Sequence, residues 1–194
     1  MDLKNEHYIL RHGETIYQKE KSDFIYPKNP INSVPLTAKG KSQVVKSSEK
    51  IKNLGISKIY SSDFLRTRQT AMIVSDEIDF KKDIIFDERL RDLDLGVWHD
   101  RKKEEFYNQF PIGKKFFDRG PKKGEDWSTL EERMLDALTD IDKNNEDETV
   151  LIVSHGDPLW LLEGKVKNKS REELIKEKKE KDGFIKTAEL RKLT

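Results

Sequence analysis

Thr149-Val150-Leu151-Ile152-Val153-Ser154 is an unbroken apolar run closed by a hydroxyl residue, and it leads directly into His155-Gly156-Asp157-Pro158. A short continuous run rich in β-branched residues reads as a strand buried on both faces, of the kind found inside a parallel sheet. Proline suits the first turn of a helix, so a helix is expected to begin near Pro158. The same design stands near the start of the chain. Residues 7–10 (HYIL) are a second apolar run, and it ends in Arg11-His12-Gly13-Glu14. Residues 58–61 (KIYS) form a third, followed within five residues by Arg66.

Between these runs the pattern turns helical. Thr37 is placed to cap a helix over residues 38–54, with Val44, Val45, Ile51 and Leu54 on its apolar stripe and Gly55 to stop it. Residues 64–78 give a second helix. Residues 128–141 give a third, and Ser128-Thr129-Leu130-Glu131 fits a capping box at its start. Residues 83–86 read as a short strand and 184–193 as a final one. Residues 15–35 contain Pro27, Pro30 and Pro35 and read as a long surface loop. Strands alternating with helices define an α/β class with a mostly parallel sheet, whose ligands bind at the carboxyl ends of the strands.

Composition narrows the function. The chain has 194 residues, 38 Lys+Arg against 37 Asp+Glu, and a net charge of +1. That balance argues against a dedicated nucleic-acid binder. Low net charge with 3 Trp, 5 Tyr and 9 Phe argues against disorder. The absence of cysteine excludes a disulfide scaffold, a thiol nucleophile and Cys-ligated metal. No apolar run is long enough for a transmembrane helix, and the N-terminus shows no apolar signal segment, so a cytoplasmic protein is expected. The length fits one domain over residues 1–194.

With parallel strands, the two histidines and two arginines surround one crevice. Guanidinium groups match phosphate oxygens and stay cationic at any working pH. They repel a metal ion and favour a phosphoryl group. A histidine beside them is held neutral, and neutral imidazole is a nucleophile.

Six stretches, in order, resemble the histidine phosphatase superfamily, also called the phosphoglycerate mutase-like family. They are YILRHGET (residues 8–15), PLTAKGKSQ (35–43), SSDFLRTRQTA (61–71), RLRDLDLGVW (89–98), PKKGED (121–126) and VLIVSHG (150–156). The resemblance implies a three-layer α/β/α sandwich around a mostly parallel sheet. Residues 99–127, with scattered aromatics, lysine pairs and glycines, read as a helix followed by a loop that forms a small cap or substrate region. The resemblance also implies that His12 is the nucleophile that becomes phosphohistidine. Arg11 and Arg66 are the phosphate clamp, and His155 contacts the phosphoryl group. Gln18, where the family usually has Asn, and Gly156 are further phosphate-binding positions. Glu14 has a supporting role. Asp92 is the general acid, where this branch usually has Glu, with Asp94 and Glu88 as nearby competitors. Trp98-His99-Asp100 and Gly156-Asp157-Pro158 depart from the usual family continuations and lie where substrate specificity is set.

The expected reaction is metal-independent hydrolysis of a small-molecule phosphomonoester through phosphohistidine, with no cofactor. A mutase is the nearest alternative. The W-x-x pattern after Gly96 and the lack of a long insert resemble the phosphatase side. A metal hydrolase using His12, Glu14, His155 and Asp157 is opposed by the two arginines. A binding module is the remaining alternative, resting on residues 165–186, where nine Lys/Arg face five Asp/Glu. That run is expected to be a solvated helix with mixed i,i+4 pairs. The sequence does not select a substrate or an oligomeric state.

Overall fold

A computed structural model describes residues 3–28, 30–180 and 183–194. Five strands form one sheet in the order β3-β2-β4-β1-β5. β1 (Glu6–Arg11), β2 (Lys58–Ser61), β3 (Ile85–Phe86) and β4 (Thr149–Ser154) are parallel, and β5 (Leu190–Lys192) runs antiparallel on the edge beside β1. The TVLIVS run is the central strand, paired on both edges and covered by helices on both faces, which is why Val150, Leu151, Ile152 and Val153 are all apolar and buried.

Alternation along the strands builds two apolar layers. Ile9, Val150 and Ile152 point into one cluster, while Tyr8, Leu10, Leu151 and Val153 point into the other. The first layer is covered by α5 (Trp127–Lys143), α6 (Gly156–Val166) and α7 (Arg171–Glu180). The second is covered by α2 (Ala38–Ile51) and α3 (Leu65–Glu77). The result is the expected three-layer α/β/α sandwich. Two shorter helices are α1 (Ile16–Lys19), with no buried residue, and α4 (Lys103–Gln109), which adds Phe106 to the first cluster.

Local chemistry moves several boundaries. Thr37 caps α2 through a bond from the Gly40 amide at 2.9 Å, and the helix ends at Ile51 rather than Leu54. The cap of α5 lies two residues before the expected one, Ser128. Asp126 takes the cap by accepting from the Thr129 amide at 2.8 Å, which draws the buried Trp127 into the first turn. α6 starts at Gly156, so Pro158 falls within the first turn. The final strand is only three residues long. Ala188 has φ +54°, and its amide is held by the carbonyls of Arg11 and His12, so the segment before it turns instead of extending. The charged run forms α7, anchored by buried Leu174 and Ile175. Lys181 and Asp182 of that run lie outside the described residues. No helix among the described residues is long and apolar enough to cross a membrane.

Candidate active site

Sheet register brings the two histidines together. Arg11 on β1 is paired with Ser154 on β4, so His12 and His155, the next residue on each strand, leave the same edge side by side. Their ring centroids are 5.3 Å apart at an interplanar angle of 62°. The neighbouring strand β2 feeds Ser62 and then α3, which places Arg66 in its first turn. Asp92 follows a 3₁₀ turn (Glu88–Leu90) after β3. Arg133 of α5 braces this turn by donating to the carbonyls of Arg89 (2.5 Å) and Arg91 (3.1 Å). Arg133 is itself fixed by Glu125 at 2.7 Å.

Hydrogen bonds assign the imidazole protons. His12 Nδ1–H donates to the Gly13 carbonyl at 2.7 Å, which leaves the Nε2 lone pair unprotonated. Arg66 Nε–H donates to His155 Nδ1 at 3.2 Å, so the His155 proton sits on Nε2, which donates to Ser62 Oγ at 3.0 Å. Burial pushes both histidines well below the usual imidazole value. Arg66 and Arg11 push His12 further in that direction, and Arg66, His12 and Arg11 do the same to His155. Both rings are therefore neutral near pH 7.

Arg66 is completely buried and makes several contacts at once. Its Nη2 donates to Asp92 Oδ2 at 3.0 Å. Tyr26 lies over the guanidinium at 4.4 Å and Phe64 at 5.1 Å. Arg11 Nη1 donates to the Ile185 carbonyl at 2.8 Å. Arg66 Nη1 and Arg11 Nε are buried donors with no acceptor among the described residues. Leaving such donors unpaired costs on the order of 1–3 kcal/mol each. A tetrahedral oxyanion supplies the acceptors that both lack.

Asp92 leaves 24% of its side chain open to the cleft. Burial raises its carboxyl above the ordinary aspartate value. Arg66 works against that rise and Asp157 adds to it. Neither competitor occupies this position. Asp94 accepts from the Gly96 amide at 2.7 Å, and Glu88 pairs with Arg91 at 3.0 Å.

These groups open on a cavity of ≈ 870 Å³, whose walls include Arg11, His12, Arg66, Asp92 and Gly156. Gly156 opens α6, a helix N-terminus suited to an anion. A Cβ at Gly156 would lie 2.8 Å from the Phe184 ring and 3.1 Å from Arg11 Cζ, so only glycine lets Arg11 pass. Three expected site residues stand behind this wall. His155 meets Arg66 and Ser62 with its two nitrogens and does not line the cavity. Gln18 completes a capping box with Thr15, accepting from its amide at 2.9 Å, and bonds the Tyr26 hydroxyl. Glu14 accepts from Thr37 (3.0 Å) and Lys39 (2.8 Å), tying the His12 loop to α2.

Sequence reasoning missed Tyr26, Ser62, Phe64 and Arg133. Ser62 had a signal, since it follows a strand entering the same edge. Tyr26 had none, standing as one aromatic in a proline-rich loop. His99 secures that loop by donating from Nδ1 to the Tyr26 carbonyl at 2.9 Å.

Paired imidazoles and guanidiniums at the edge of a parallel α/β sheet define a class of phosphoryl-transfer site. The chain belongs to the histidine phosphatase superfamily (branch 1), whose pattern matches residues 7–179. Among its relatives, "Probable phosphoglycerate mutase GpmB" of Enterobacter sp. (strain 638) is 36% identical over 160 residues, covering 80% of this chain and 71% of the relative. The solved structure of Bacillus stearothermophilus YhfR is 30% identical, with a TM-score of 0.75 over 88% of this chain and 83% of that one. A mycobacterial glucosyl-3-phosphoglycerate phosphatase complexed with VO3 shares the fold at 20% identity. Its TM-score is 0.77, over 95% of this chain and 90% of that one.

Proposed function

We propose that the chain is a phosphomonoester hydrolase that works through a phosphohistidine on His12 and needs neither metal nor organic cofactor. The observation that carries this reading is the trio of an open His12 Nε2 lone pair and two buried guanidinium donors without acceptors among the described residues, Arg66 Nη1 and Arg11 Nε. The phosphoryl oxygens complete the guanidinium bonds while Nε2 attacks phosphorus in line. The bond from phosphorus to the ester oxygen breaks, and Asp92 delivers its proton to that oxygen. Asp92, now ionised, takes a proton from water, which cleaves the N–P bond and releases phosphate. Its raised pKa suits the first step, and the incoming phosphate charge raises it further. His155 orients Arg66 and packs against the nucleophile.

His12→Ala abolishes turnover of p-nitrophenyl phosphate, while EDTA leaves the wild type active. Retained activity in the variant, or complete loss in EDTA, defeats the scheme. Asp92→Asn separates the two half-reactions. Nitrophenolate leaves without an acid, so this variant still gives a burst of nitrophenol and accumulates phosphohistidine, whereas alkyl phosphates react slowly from the first step. Equal slowing of both substrates with no burst rules out Asp92 as the acid.

A mutase is the second reading, favoured by the names of the relatives at 36% identity. It predicts exchange between 2- and 3-phosphoglycerate primed by 2,3-bisphosphoglycerate, faster than phosphate release.

A further inference from the structure

The charged helix α7 sends one lysine inward. Lys178 keeps only 11% of its side chain exposed. Its ammonium lies 4.3 Å from the centroid of Phe184, 4.8 Å from Trp160 and 5.4 Å from Trp127. The remaining side of the ammonium is closed by an ion pair with Asp157 Oδ1. Three aromatic faces and a carboxylate thus replace the water lost by this cation. Leu174 and Ile175 already anchor α7, so the cage is more than the helix needs to dock.

Asp157 follows His155 by two residues and faces the same cavity as Asp92, together with Lys178, Phe184 and Tyr107. Tyr107 lies on the same wall with its phenol protonated at working pH, a neutral donor. Asp157 Oδ2 accepts no hydrogen bond from any described residue. It is an acceptor left free in the wall of the cavity that Asp92 also lines. A bare carboxylate there would repel a phosphate dianion. Neutralised by Lys178, it can accept a hydrogen bond without that penalty. Because the pair carries no net charge, it gives neither a cationic nor an anionic leaving group a compensating attraction, and a neutral hydroxyl is the partner that Asp157 Oδ2 suits best.

Resting on the phosphatase reading, we propose that Asp157 and Lys178 form a leaving-group subsite that selects an uncharged, hydroxyl-bearing alcohol, a polyol or sugar phosphate. Asp157 Oδ2 accepts the hydroxyl proton, and Lys178 holds and neutralises Asp157.

The test compares glycerol 3-phosphate, p-nitrophenyl phosphate, 3-phosphoglycerate and ethanolamine phosphate with wild type, Lys178→Met and the charge-balanced Asp157→Ala/Lys178→Met. The double variant lowers the ratio of kcat/KM for glycerol 3-phosphate to that for p-nitrophenyl phosphate by about tenfold or more, as expected when a site built for a hydroxyl loses its partner. Lys178→Met alone raises KM for all four esters, and 0.5 M salt, roughly a strongly screened regime, recovers part of the loss. A lysine that only supports the fold gives a loss that salt does not relieve. An unchanged ratio in the double variant overturns the proposal, as does a wild type that prefers 3-phosphoglycerate or ethanolamine phosphate over glycerol 3-phosphate. If the wild type releases phosphate from none of them, the phosphatase reading falls and calorimetry decides the subsite. Weakened binding of glycerol 3-phosphate but not of inorganic phosphate in the double variant sustains it, and no difference between variants overturns it.

Discussion

Arg66 shows how much one side chain carries. Its guanidinium spans His155 and Asp92, lies under Tyr26 and Phe64, and leaves Nη1 for an anion. A lysine keeps the charge but cannot hold this planar geometry. Arg66→Lys is therefore expected to lose nearly as much kcat/KM as Arg66→Ala, about 3 kcal/mol or some hundredfold, on the scale of losing an oxyanion donor. A lysine variant within threefold of wild type contradicts this account. Gly156→Ala tests the other arginine. Its methyl group displaces Phe184 or Arg11, so KM for any phosphomonoester rises while the melting temperature changes little. The Asp157 and Lys178 pair extends the same logic outward, from binding phosphate to choosing the alcohol.

Among the elements, α2 controls where the His12 loop lies. Gly13 and Gly40 meet so closely that a Cβ on Gly13 would stand 2.5 Å from the Gly40 carbonyl oxygen. Gly40→Ala is expected to push α2 off the loop, costing both stability and turnover. Asp126→Ala removes only the α5 cap and should cost about 1 kcal/mol of stability with kinetics intact. Denaturant unfolding beside a phosphatase assay checks the contrast. The strands ending in RHG and SHG were legible because buried parallel strands have an unmistakable apolar run, and their register alone juxtaposes the residues that follow. Elements whose identity depends on distant partners were not. The segment before β5 extends in pattern, yet bonds between Ala188 and the His12 loop turn it. Lys178 sits in a helix whose sequence reads as solvated, and only the meeting of Trp127, Trp160 and Phe184 reveals its destination. Gln18 stood where the family places a phosphate contact, but its amide is committed to Thr15 and Tyr26.

At the scale of the whole molecule, buried histidines make stability depend on pH. Burial lowers the pKa of His7, His12 and His155, Asp142 partly opposing this at His7. The unfolded chain takes up these protons as pH falls through about 6.5, whereas the folded chain refuses them until lower pH. Stability thus falls on acidification, by up to about 1.4 kcal/mol per pH unit for each histidine, within the window between the unfolded and folded values. Asp92, shifted upward, works in the opposite sense at lower pH. Melting temperatures measured from pH 8 to 5 should decline, His7→Leu should reduce the slope by about one third, and inorganic phosphate should raise the melting temperature by binding the native state. A flat profile contradicts the burial of neutral imidazoles.

The strand order has one more consequence, which concerns synthesis. β4 lies between β1 and β2, although the ribosome makes it last of the three. A nascent chain that has not yet reached Thr149 holds two hydrophobic strands whose shared neighbour does not exist. Their facing backbone edges stay open until the second histidine strand arrives, so the step that brings His155 beside His12 also closes the gap between β1 and β2 against wrong partners.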